Sequence, residues 1–189
     1  MEATALLTAD HNRVRGLFSR WREAHEAGDD TTMIELAGKI FDDLEVHMAI
    51  EEEIFYPAVQ DTNEDISESV DEGEQEHHVA KVLMGELGEV EPASDVWVAK
   101  MMVLIENIEH HADEEESEMF PPLRSKRSAD ELKALAEKME QRKAELGAPV
   151  LADKIDLTKE ALMTLAQEQQ IPGRSSMDQE ELAATVAPA

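Results

Sequence analysis

Residues 33–58 read MIELAGKIFDDLEVHMAIEEEIFYPA. Met33, Ala37, Ile40, Leu44, His47, Glu51, Ile54 and Ala58 recur at steps of three and four, the period of one face of an α-helix. His47 and Glu51 stand four residues, or about 400° of helix, apart and so share that face. A carboxylate on a buried stripe needs a partner, because burying it alone costs several kcal/mol or forces it neutral. Working outward, a matching stripe of Trp97, Met101, Leu104, Ile108, His111 and Glu115 starts at Ser94 as N-cap and is expected to close at Phe120-Pro121-Pro122. A third stripe, Leu7, His11, Val14, Phe18, Trp21 and His25, is expected to follow Thr8 as N-cap and end near Gly28. A fourth, Ile66, Val70, Gly73, His77, Ala80, Met84 and Leu87, stops at Gly88 and Pro92, while Thr31 or Thr32 opens the helix of residues 33–58.

Four amphipathic helices joined by short connectors predict an all-α, up-down-up-down four-helix bundle. Four Phe, one Tyr and two Trp among 189 residues, with Ala, Glu, Leu, Met and Lys abundant, favour helices over strands. A charged fifth helix is expected over about 128–146, broken by Gly147-Ala148-Pro149. The division is therefore a domain at 1–147 (bundle about 5–120), a linker at 148–155 and a small helical appendage at 156–189. In that appendage Asp156 to Leu162 reads as a capped short helix, Ile171 to Ser175 as a turn, and Met177 to Val186 as a second short helix.

The formal net charge of −27 argues against unspecific binding to nucleic acid or anionic lipid, which needs clustered cations. The absence of cysteine excludes disulfides, thiolate metal sites and thiol nucleophiles. No apolar run approaches the roughly 18 residues of a membrane helix, and the first ten residues lack a basic, apolar leader pattern. A soluble, cytoplasmic protein is the expectation.

Each of the four helices places a histidine on its apolar stripe at a matching level, at His11, His47, His77 and His111, and two add Glu51 and Glu115 in phase. The gaps of 36, 30 and 34 residues each fit one out-and-back path, which places the histidines at one level of the bundle. Four imidazoles and two carboxylates suit one octahedral ion poorly and two carboxylate-bridged ions well. The halves echo each other: Asp10-His11 with Arg15 parallels Glu76-His77 with Lys81, and His47-x3-Glu51 before Tyr56-Pro57 parallels His111-x3-Glu115 before Phe120-Pro121. Register selects between neighbours. His110 and His78 fall off their stripes and are expected at the rim or beside the ligands, not among them.

This pattern of lone His, HxxxE with aromatic-Pro, lone His and HxxxE, flanked by Asp-His-x-x-Val-Arg, resembles the hemerythrin-like HHE cation-binding proteins over roughly residues 5–146. The resemblance implies two iron ions in an oxo- or hydroxo-bridged di-iron centre. It implies His11, His47, His77 and His111 as terminal ligands, Glu51 and Glu115 as bridging ones, and O2, hydrogen peroxide or nitric oxide as the small ligand. The respiratory hemerythrins carry HxxxH on the third helix and a final aspartate, whereas Lys81 and Glu115 stand at those places here. One imidazole fewer favours catalase-like peroxide removal over reversible O2 carriage; an O2, redox or nitric oxide carrier or sensor, or a non-redox regulatory metal-binding module, is the alternative. Ferritin-like carboxylate chemistry finds Glu74-x-x-His77 but no in-phase second copy.

Phe55 and Met119, one turn beyond the two glutamates, are expected to form an apolar layer beside the metals. Tyr56, nearly opposite His47 on an ideal helix, reads first as packing at a helix end and is kept, with Phe55, Met119, His78 and His110, among the candidate neighbours of the ligands, a direct role as ligand or radical site being the weaker reading. The tail, Leu157 to Leu182, is similar to a Rho-N-terminal or SAP-like helical motif. Acidic residues there outnumber Lys154, Lys159 and Arg174, so a protein contact through 156–189 is expected rather than nucleic acid.

Overall fold

The computed structural model describes residues 1–147, 158–168, 174–176, 179 and 182. Among these there is no strand. The long helices α1 (Ala3–Ala27), α2 (Asp30–Ile50), α4 (Glu64–Gly88) and α5 (Asp95–Glu114) form the antiparallel bundle. After α2 the chain passes through a π turn, Glu51–Phe55, into the short α3, Tyr56–Val59, and a 3₁₀ turn, Gln60–Thr62. After α5 the same device recurs, a π turn at Glu115–Met119 leading into α6, Phe120–Lys126. A last bundle-side helix, α7 (Ala129–Glu145), lies along α1 and α2, and α8 spans Lys159–Glu168.

Local chemistry explains most of the ends. Gly28 takes φ 69°, the left-handed cap that glycine adopts without strain. Ser94 accepts from the backbone of Trp97, and Ser128 and Glu131 form a reciprocal capping box at α7. Three expectations change. First, α1 starts at Ala3 rather than after Thr8, because Ala3, Leu6 and Leu7 are buried, and Thr8 instead returns a hydrogen bond to the Thr4 carbonyl at 2.9 Å. Second, Asp29 and not a threonine caps α2, accepting from the Thr32 backbone at 3.1 Å. Third, the fourth helix runs past Phe120-Pro121-Pro122: the π turn restarts the ladder, so both prolines fall in the first turn of α6, where their missing N–H costs nothing.

Two apolar clusters fill the bundle. One, around Leu17, Phe18, Trp21, Ile40, Leu44 and Leu104, fills the end near Gly28; the other joins Leu7, Phe55, Phe120, Val70, Leu132 and Met139 at the opposite end. The stripe histidines lie between them. The appendage has its own small cluster of Leu162, Ala166 and Leu182; its α8 spans Lys159–Glu168, with the Thr158 hydroxyl capping Ala161, and the expected start at Asp156 lies outside the described residues. The expected linker at 148–155 and most of the expected turn and helix at 171–186 lie outside the described residues. No described helix is long and apolar enough to cross a membrane.

Candidate metal centre

Each bundle helix brings one imidazole to the layer between the clusters, and the π turns bring the carboxylates. His11, His47, His77, His111, Glu51 and Glu115 are all buried. Glu51 Oε2 stands 3.2 Å from both His47 Nε2 and His77 Nε2, and Glu115 Oε2 stands 3.4 Å from His11 Nε2 and 4.0 Å from His111 Nε2. All four histidines thus turn Nε2 inward. Donor atoms of His11, His47 and Glu51 form one group close enough to hold a cation, and those of Glu51, His77 and His111 form a second that shares Glu51. Both Glu51 oxygens, Glu115 Oε2, His11 Nε2 and His47 Nε2 are buried without a hydrogen bond. Such atoms are costly in a protein interior unless a cation satisfies them.

The outward nitrogens are held by acids. His11 Nδ1 meets Glu116 at 2.8 Å, His77 Nδ1 meets Glu52 at 3.0 Å, His111 Nδ1 meets Glu76 at 2.8 Å, and His47 Nδ1 faces Asp10 at 3.8 Å. A carboxylate there fixes the tautomer and points the free Nε2 lone pair inward. Basic residues hold three of the acids in turn: Arg15 binds Glu116 at 2.8 Å, Lys81 binds Glu52 at 2.5 Å, and Lys143 of α7 binds Asp10. Lys81, which stands where the respiratory proteins place a histidine, therefore points away from the centre.

The neighbours expected beside the ligands divide. Phe55 and Met119 are buried in the cluster below the site. Tyr56 lies inside as well, its hydroxyl donating to Glu115 Oε1 at 3.0 Å and its ring stacked on His77. The reading of Tyr56 as mere end packing is thus replaced, because the π turn rotates it toward the centre. Gly73 makes room: a Cβ there would sit 2.7 Å from the Tyr56 hydroxyl. His110 is exposed and pairs with Glu114 at 3.1 Å, and His78 is exposed.

Charge in the layer follows from these contacts. Burial alone would lower His11, but the carboxylate of Glu115 facing its Nε2, that of Glu116 on its Nδ1 and the charge of Glu51 outweigh it and hold it up at about 9. Burial would likewise lower His111, yet Glu51, Glu76 and Glu115 hold it well above its ordinary value. Burial would raise Glu51, yet His47, His111 and His77 hold it well below the usual carboxylate range. Tyr56 is pushed up by burial and by the charges of Glu51 and Glu115, so its proton stays on. In metal-free protein the His11 contribution to stability is whole below its ordinary value of 6.5 and is lost as pH climbs through about 9. Metal binding requires the neutral ring. Loading a divalent cation at pH 7 in weakly buffered solution is therefore expected to release protons, read by an indicator dye, with the His11 share of that release falling away as pH climbs through about 9. Equal uptake without proton release at pH 7 contradicts this charge assignment.

Four helices presenting inward imidazoles around shared carboxylates define a cation-binding bundle. The chain belongs to the hemerythrin family: the hemerythrin HHE cation binding domain matches residues 2–123. The resemblance of 156–189 to a SAP-like motif lies outside that match. The chain is also similar to a DNA nickase from Nostoc sp. (strain PCC 7120), 28% identical over 151 residues, covering 75% of this chain. The chain spans 41% of that relative's length. No solved structure matches it significantly.

Proposed function

We propose that this chain holds two iron ions between α1, α2, α4 and α5 and removes hydrogen peroxide. The observation that supports this most is the pair of His/Glu groups sharing Glu51, with both Glu51 oxygens, Glu115 Oε2, His11 Nε2 and His47 Nε2 buried without a hydrogen bond. His11 and His47 would hold one ion, His77 and His111 the other, with Glu51 and Glu115 shared. Four imidazole nitrogens and four carboxylate oxygens fall short of the roughly twelve donors of two octahedral ions, which leaves room for a small ligand. Bound iron would supply the redox cycling between ferrous and ferric states that peroxide, O2 or nitric oxide chemistry needs. The protein's own part is to hold Glu51 charged, to orient each imidazole from behind, and to exclude bulk water with Phe55, Met119 and Phe120. Tyr56 keeps a proton at its hydroxyl, hydrogen-bonded to Glu115, beside the shared carboxylate. We assign residues 156–189 to a protein contact.

Elemental analysis of purified protein, with the ultraviolet-visible spectrum and O2 evolution followed after adding peroxide, tests the reading. About two irons per chain with sustained O2 evolution are expected. The same iron without turnover favours the carrier or sensor alternative, and zinc or no metal sinks the redox reading. The Nostoc relative suggests a second activity, scission of one DNA strand. Supercoiled plasmid incubated with iron-loaded protein, with peroxide scavenged so that free radicals do not cut, separates the two: sustained conversion to open circles favours nicking.

A further inference from the structure

One pocket reaches the centre from outside, between α4 and the π turn that follows α5. Its mouth carries Glu72 and Glu76 from α4 with Glu114 and Glu118 from the end of α5 and the π turn; His111 and Glu115 form its inner wall. Like charges spaced i,i+4 on a helix, as in each of these pairs, repel and weaken it. Glu115 gives the crowding a direction: its side chain is only 4% exposed, and its Oε2 makes no hydrogen bond. At the mouth, Glu76 and Glu114 and the exposed His110 beside them place one donor atom each within 4.8 Å of one another, a resting point for a cation. Glu76 spans the two levels, with Oε2 on His111 Nδ1 at 2.8 Å and Oε1 facing His110 at 3.9 Å. Gly73 lines the same wall, where a side chain would collide with the Tyr56 hydroxyl.

We infer that this pocket is the path by which divalent cations load the buried centre, with Glu72, Glu114 and Glu118 drawing the ion in and the Glu76, His110 and Glu114 trio passing it to Glu115. This rests on the reading of the His/Glu layer as a metal site. A mouth lined by one sign of charge and walled by protein raises local cation concentration and association rates by roughly ten- to a thousandfold, in a salt-dependent way.

The test is stopped-flow loading of metal-free protein with Co2+, followed by its visible absorption, for the full chain and the triple variant E72Q/E114Q/E118Q. The variant is expected to load about tenfold more slowly and with a flatter salt dependence, while reaching the same final cobalt content and spectrum. A control, E23Q/E35Q/E45Q, makes the same charge change at exposed sites on α1 and α2 and is expected to load at the unaltered rate. Unchanged loading in the first variant, or equal slowing in the control, overturns the path while leaving the metal centre standing. Failure of the unaltered chain to take up any metal overturns both.

Discussion

Glu51→Ala is expected to strip the centre of both ions, whereas Glu115→Ala and His47→Ala each retain at most about one per chain. The difference follows from Glu51 Oε2 lying 3.2 Å from an imidazole of each group, so that removing it breaks both. Loss of Glu115 leaves Glu51 to hold one ion with its histidines but removes the second carboxylate, which faces His11 and His111 and which two ions would share. His25→Ala is the control: that ring stacks on Trp21 in the far apolar cluster, with centroids 5.7 Å apart, and its loss leaves the metal in place. Elemental analysis after desalting reads all four, with circular dichroism to establish that each variant is folded. Metal in Glu51→Ala equal to that in His25→Ala would overturn the shared-carboxylate reading.

The largest effect on stability is expected from Phe120→Ala. The ring is fully buried, lies parallel to His11 with centroids 6.1 Å apart, and meets Phe55 edge to face at 6.0 Å. Truncating a buried phenylalanine costs about 3–5 kcal/mol, from lost transfer energy plus the cavity left behind. Denaturant unfolding measures this, against Ile34→Ala, a 41% exposed position expected to shift by less than about 0.5 kcal/mol. Because Phe120 also walls His11, the variant should surrender metal to a chelator faster than the parent. A shift no larger than that of Ile34→Ala would show that this end of the bundle repacks freely.

The bundle and the inner position of the histidines were legible because both rest on one period. Steps of three and four placed His11, His47, His77 and His111 on the stripes, and the same steps put His78 and His110 outside, where they are exposed. What that period misses begins at Glu51. Nine ideal residues from His47 to Tyr56 make about 900°, the far side of the helix. The π turn takes up one extra residue and turns Tyr56 back by about 100°, far enough for its hydroxyl to reach Glu115. Only the aromatic-Pro pair that ends ten residues after His47 and again after His111 hinted at it, since proline must begin a new helical segment. The acids behind the imidazoles were foreshadowed as neighbours in sequence: Asp10, Glu52, Glu76 and Glu116 each adjoin an inward donor residue. Which imidazole each one serves depends on helix packing, and periodicity carries no information about that.

That pairing has a consequence for how such a centre can arise. Asp10 on α1 faces His47 on α2, and Glu76 on α4 holds His111 on α5, both within one hairpin; Glu52 holds His77 and Glu116 holds His11, both across hairpins. Every support in one half has its mirror in the other. A single helical hairpin of this design, docked against a second copy of itself, would reproduce these four carboxylate–imidazole pairings around the centre. A chain of this kind is thus what duplication and fusion of one self-associating hairpin would leave behind.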